Sequence, residues 1–248
     1  MNRDYDPNQL EYILNNYGYK KDELEKIVDF FNGKGSFYGL PKFIRQLLAK
    51  MNILTSNENE YYKMFEYLKN HFDLGCDILE LGGGHYPILS EYIDSFQRNI
   101  GRGTITVMDP NLVVSKLGNI KLEKTYFTSA TDITPYKLVI AASPDDMFKT
   151  IVSKCAQDNI EYFIAICSCV ATSYYRELYK KGKLLYESDE YNPIWDIILK
   201  DVLLKENLLY RGTNDVDVRL KSLWYCEHEE NELEDDCDDV IRCLIRKK

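Results

Sequence analysis

Residues 80–84, Glu-Leu-Gly-Gly-Gly, place an acid two positions before a run of three glycines. An apolar run, Cys76–Leu81, leads into them, and an amphipathic segment with Ile88, Leu89, Tyr92, Ile93 and Phe96 follows. The pattern predicts a strand, a tight turn and a helix over 88–98. Glycines at such a turn let the backbone approach a ligand closely and leave the helix N-terminus open to it. A second apolar run, Thr104–Met108, ends in Asp109. A carboxylate at the end of a strand can accept two hydroxyl hydrogen bonds from a ribose. Together these residues point to a nucleotide-type cofactor.

Two cofactors compete for the turn. A dinucleotide-binding turn has the form G-x-G-x-x-G. Gly82 and Gly84 fill its first two positions, and Pro87 stands at the third, where helix–strand packing favours a small residue. On the other side, Glu80-Leu81-Gly82-Gly83-Gly84 resembles the first motif of the class I, Rossmann-like S-adenosylmethionine-dependent methyltransferases. That motif has an acid, one residue, then glycines alternating from the strand end; Tyr86 takes the third alternating position here. The resemblance implies that Glu80 helps hold the cofactor's ammonium, directly or through water. It implies that Gly82, Gly83 and Gly84 pack against the methionine part, with Asp109 on the ribose. NAD enzymes also use such an acid, so Asp109 does not discriminate.

The resemblance extends over roughly residues 70–170. Ala130-Thr131-Asp132 follows the third strand, where the family often has a residue beside adenine, which puts Asp132 there. The fourth strand runs into Ser143-Pro144-Asp145-Asp146, the place of a Pro-Pro-aromatic motif in amino-methylating members. The resemblance puts Ser143 at the cofactor, while the missing aromatic gives no support to adenine methylation of nucleic acid. Methyl transfer from a sulfonium needs little acid–base help, so alignment of the attacking atom contributes most. No catalytic residue is named on this basis.

Other residues carry competing readings. His85 could approach the cofactor or act as a base near its ordinary pKa, or simply face solvent. Asp145 and Asp146 could bind a substrate amine, or complement a helix dipole. Cys167 and Cys169 lie on one side of a strand end, but no neighbouring histidine completes a metal set, and no metal is expected. Phe37-Tyr38-Gly39 could form a lid or dock the N-terminal helices. Lys180-Lys181-Gly182-Lys183 is a small basic patch that also reads as a solvated helix end.

These residues need a scaffold, and the apolar periodicity supplies one. Short apolar runs alternate with helical ones from residue 76 to about 170: Cys76–Leu81, Thr104–Met108, Lys121–Phe127, Lys137–Ala142 and Tyr162–Cys167, with helices at 88–98, 111–117 and 144–157. Such alternation means βαβ units and a parallel sheet covered on both faces. Lys121–Phe127 alternates and suits a sheet edge. Before it, residues 1–72 read as helical, over 7–16, over 21–32 and from Leu40, where Phe43, Ile44, Leu47, Leu48 and Met51 share one face. Thr55 and Glu58 read as a capping box opening another helix. Asn192-Pro193 starts a late helix. Val218–Cys226 and Val240–Ile245 read as an antiparallel pair closing the sheet. The expected fold is therefore α/β: a mostly parallel Rossmann-like sheet, an antiparallel C-terminal pair, and a helical N-terminal extension (1–72) ahead of the methyltransferase-like domain (73–248).

Charge narrows the partners. The net charge is −9, yet the acidic stretch 227–239 holds the whole excess; outside it 31 acids face 31 Lys and Arg. That stretch fits no EF-hand loop and reads as a solvated loop. A neutral body gives no general attraction for a nucleic-acid backbone, so a small-molecule or protein methyl acceptor is favoured. No apolar stretch approaches the ~20 residues needed to cross a bilayer, and the N-terminus carries no apolar leader. The seven cysteines show no paired zinc spacing and suit free thiols in a reducing cytoplasm. The favoured function is S-adenosylmethionine-dependent methyl transfer. The alternatives are a catalytically inactive methyltransferase-like scaffold and an NAD(P)-dependent oxidoreductase.

Overall fold

The structure, a computed structural model, describes residues 21–32, 34, 40, 42–50, 59–144, 147–166, 217–224 and 241–247. Three helices come first: α1 (Lys21–Phe31), α2 (Lys42–Lys50) and α3 (Glu60–His71). The sheet region follows as β1 (Asp77–Leu81), α4 (Ile88–Ile100), β2 (Thr104–Met108), β3 (Lys121–Glu123), β4 (Leu138–Ala142), α5 (Met147–Gln157) and β5 (Glu161–Ile166). Two late strands, β6 (Asp217–Trp224) and β7 (Ile241–Lys247), complete it.

The seven strands lie in the order β3-β2-β1-β4-β5-β7-β6. β1 to β5 are parallel, and β7 runs antiparallel to both β5 and β6. This is the mostly parallel, Rossmann-like α/β sheet that the alternation predicts, with its antiparallel C-terminal pair. The order reverses at β1, which pairs with β2 on one side and β4 on the other. Open α/β sheets bind ligands beyond the carboxyl ends of the strands at such a reversal.

Alternation along each strand feeds two cores. Ile78, Ile105, Val107, Leu138, Ile140 and Phe163 pack on one face with Met64, Phe65 and Leu68 of α3 and Leu89 and Ile93 of α4. Leu79, Leu81, Val139, Ala141, Tyr162 and Ile164 pack on the other with Phe148, Ile151, Val152 and Cys155 of α5. Strands buried on both faces read as continuous apolar runs, which is why they are visible in the sequence. α3 is seated on α4 through Phe65, whose ring stacks on Tyr92 at 5.7 Å, and through the Asn59 amide, which donates to the Tyr92 hydroxyl at 2.9 Å.

Several boundaries differ from the sequence reading. The helix expected at 111–117 does not form. The Asn111 amide donates to the Asp109 carboxylate at 2.7 Å, and the Val113 amide to the His85 carbonyl at 3.3 Å. With its amides committed to those acceptors and Leu112 buried, the segment lies as a loop against the glycine turn. The third strand is short, Lys121–Glu123 rather than 121–127, and it does lie at the sheet edge. The cap of α3 is Asn59, whose side chain accepts from the Tyr62 amide. The proposed capping residue Thr55 lies outside the described residues. So do the helix at 7–16, Phe37-Tyr38-Gly39, Asp145, Asp146, Cys167, Cys169, Lys180–Lys183, Asn192-Pro193 and the acidic stretch 227–239.

One side chain fixes where α4 ends relative to β1. The buried Gln97 amide donates to the carbonyls of Leu74 at 2.9 Å and Cys76 at 3.0 Å. Gln97→Ala leaves both carbonyls without that donor, at a cost of about 1–3 kcal/mol. Thermal unfolding is expected to shift down by roughly 2–4 °C per kcal/mol lost; an unchanged melting temperature would show that the tie carries no stability.

Candidate functional site

The turn between β1 and α4 adopts a shape that only glycines suit. Gly82 and Gly84 have φ of +72° and +70°. A Cβ on Gly84 would also stand 2.7 Å from the Gln46 side-chain oxygen, and one on Gly83 2.7 Å from Val107 Cγ1. The turn is tied on every side. The Gly82 amide donates to the Met108 carbonyl at 3.1 Å. The Gly84 amide donates to the Asp109 carboxylate at 2.8 Å. Gln46 of α2 covers the turn: its amide donates to the Gly83 carbonyl at 2.6 Å and its oxygen accepts from the Tyr86 amide at 3.4 Å.

Beyond the turn lies a cavity of about 360 Å³ at the carboxyl ends of β1, β2 and β4. Gly82, Gly84, Asp109 and Ser143 line it, as does His85. Met108, Tyr126, Phe127, Pro144 and Met147 give it apolar walls. Gly83 sits within the turn with its carbonyl on Gln46. Glu80 lies beneath it: alternation sends this residue to the α4 side of the sheet, where its carboxylate accepts from the Ser90 hydroxyl. Asp132 is not brought to the cavity. It is exposed in a turn, where its carboxylate accepts from the Thr134 amide at 3.0 Å and hydroxyl at 2.8 Å.

α2 brings a cation to the opposite wall. The Lys42 ammonium donates to the carbonyls of Gly82 at 2.8 Å, Ala142 at 2.5 Å and Ser143 at 3.4 Å. Ser143 itself has a left-handed φ of +52°, uncommon for a residue with a side chain, at the point where β4 leaves the sheet. Burial holds the Lys42 pKa below its ordinary value, with the charges of Glu80 and Asp109 opposing that shift. Burial likewise lowers the His85 pKa, although Asp109 pulls it up.

Lys42, Gln46 and Ser90 escape a reading of the sequence. Lys42, Gln46 and Lys50 recur every four residues along α2, which looks like a solvated stripe. Ser90 shares one face of α4 with Asp94 and Gln97, and all three are buried. Polar residues at that spacing beside an apolar face are the signal that was there to find. Among the described residues no group of histidines, cysteines and acids could hold a metal, and no helix is long and apolar enough to cross a membrane.

No protein-family profile matches this chain, and no curated protein matches it in sequence. Solved structures do resemble it. A Podospora anserina methyltransferase bound to SAH is 12% identical, with 93% of this chain and 98% of that one covered, at a TM-score of 0.43. A SAM-dependent methyltransferase from Aquifex aeolicus is 10% identical over 82% and 97% of the two chains, at 0.41. A SAM-dependent O-methyltransferase from Thermotoga maritima is 9% identical over 84% and 72%, at 0.42.

Glu80 gives the site a pH signature. Burial pushes its carboxyl from 4.5 up to about 7, against the opposing effects of the Ser90 hydrogen bond and the Lys42 charge. A carboxyl with a raised folded-state pKa binds more protons folded than unfolded, so its contribution to stability falls as pH rises from about 4.5 to about 7. The full effect is on the order of 3 kcal/mol. Glu80→Gln is expected to flatten that fall and to be the more stable protein at pH 8. Parallel pH dependence of the two melting curves would contradict a buried, pKa-raised Glu80.

Proposed function

We propose that the chain is an S-adenosylmethionine-dependent methyltransferase of the class I, Rossmann-like kind, a reading supported by a strand order that reverses at β1 and an antiparallel β7 between β5 and β6. The observation that carries the reading is the convergence, on one cavity at the switch point, of the glycine turn, Asp109 and a set of inward-facing carbonyls. Those carbonyls already hold an ammonium, that of Lys42, so the cavity has the chemistry to take the ammonium of an amino-acid cofactor. Each Asp109 oxygen accepts one backbone hydrogen bond and keeps a lone pair for a ribose hydroxyl.

A pyrophosphate fits less well. Dinucleotide turns offer free amides to phosphate oxygens. Here the Gly84 amide is taken by Asp109 and the Tyr86 amide by Gln46. Pro87 at the third glycine position counts against the same reading.

The cofactor, when bound, supplies a methyl group made electrophilic by its sulfonium. The chain's own contribution is to position and exclude water. The glycine turn faces the methionine end, Asp109 orients the ribose, and the apolar walls around Phe127 and Met147 suit the adenine and shield the reacting groups. His85, at the cavity wall, offers an imidazole that can accept a proton from an acceptor hydroxyl or amine. The acceptor is a small molecule or a protein, and α2 takes part in the site through Lys42 and Gln46.

Isothermal calorimetry with S-adenosylmethionine, its demethylated product and NADH tests the reading. Heat is expected with both sulfur ligands and none with NADH; silence with both up to millimolar concentration would sink it. Asp109→Ala, checked for intact melting, is expected to weaken binding of the demethylated product by about tenfold or more, the value of one or two hydrogen bonds to a charged acceptor. Unchanged affinity would mean the ribose lies elsewhere.

A further inference from the structure

Lys42 is an unusual resident for a cofactor cavity. Its described partners are three neutral carbonyls, two of them at the end of β4 and one at the end of β1. Glu80 and Asp109 act on it only through their charge. Other contacts also seat α2. Gln46 is hydrogen-bonded to Gly83, Lys50 pairs with Glu91 at 2.7 Å, Arg45 pairs with Glu60 at 3.1 Å, and Ile44, Leu47 and Leu48 are buried.

A cluster of carbonyl oxygens is selective for a group with several N–H donors, and an ammonium has three. The cofactor reading brings a second ammonium, on the methionine end, to the same turn. Seating both on the carbonyls of Gly82 and Ala142 would crowd the same acceptors and bring two like charges into one partly buried site, which disfavours joint occupancy. We propose that Lys42 is an internal surrogate for the cofactor's ammonium, holding its subsite until the cofactor displaces it. This rests on the S-adenosylmethionine reading and adds a residue that sets cofactor affinity and discriminates among ligands. A ligand without an ammonium cannot replace Lys42 on the carbonyls and gains nothing from its departure. A ligand with one pays for the exchange: if the surrogate fills the subsite nine-tenths of the time, apparent affinity is lowered about tenfold. Lys42 is only part-buried, and the exchange requires its side chain to turn toward solvent.

The test compares the full chain with Lys42→Ala and Lys42→Met. The second variant keeps the length of the stem without its charge and guards against a folding defect in the first. Two probes are titrated by calorimetry: S-adenosylhomocysteine, which carries the ammonium, and methylthioadenosine, which lacks it. Both variants are expected to bind S-adenosylhomocysteine about tenfold more tightly than the unmodified chain, with methylthioadenosine affinity unchanged within about twofold. Weaker or unchanged S-adenosylhomocysteine binding would overturn the proposal and make Lys42 a partner of the carboxylate or a structural tie. An equal gain for both probes would overturn it too, showing only that the cavity had been enlarged. Failure of all three proteins to bind either probe would remove the cofactor reading itself, and the surrogate with it.

Discussion

The Asp109 carboxylate accepts the Gly84 amide on one oxygen and the Asn111 amide on the other. That pair of hydrogen bonds locks the loop after β1 to the loop after β2, and the rest of the site depends on it. The glycine turn gains a fixed conformation although none of its residues has a side chain to anchor it. The segment after Asp109 is drawn against the turn, and the cavity acquires its floor. Val107 from the sheet and Gln46 from α2 then close on the glycines, each within 2.7 Å of where a Cβ on Gly83 or Gly84 would stand. Charge-assisted hydrogen bonds of this kind are about twice as strong as neutral ones. A single acid can therefore both order the turn and remain available to a ligand.

The electrostatics of the cavity follow from burial with few ion pairs. Glu80 sits under the turn on a serine hydroxyl, and Lys42 sits over it on carbonyls. Burial disfavours the charge on each, raising one pKa and lowering the other, and their mutual attraction opposes both shifts. Neutral dipoles, a serine hydroxyl for Glu80 and backbone carbonyls for Lys42, thus face the charged groups here. Among the described residues neither group is held in a tight salt bridge that an incoming charged ligand would have to break.

Much of this was legible in the sequence, for a physical reason. Parallel strands buried on both faces leave continuous apolar runs, so β1, β2, β4 and β5 could be read with small shifts at their ends. The turn announced itself because only glycine tolerates its backbone. The loop at 111–117 has the local pattern of a helix, but the amides of Asn111 and Val113 are satisfied by Asp109 and His85, partners a local pattern cannot show. Lys42 and Gln46 were invisible as site residues for a similar reason. On α2 they look like a solvated stripe, and only the packing of that helix across the carboxyl ends of the strands turns the stripe inward. Asp132 followed a resemblance in position alone; the short edge strand leaves it in an exposed turn.

A crystal structure of the full chain with S-adenosylhomocysteine tests the central claim most directly. The ligand is expected in the cavity at the switch point, with its ribose hydroxyls on Asp109 and its homocysteine end against Gly82–Gly84. The ligand bound elsewhere, or a cavity still empty at saturating ligand, would contradict the assignment of this site to an S-adenosylmethionine cofactor.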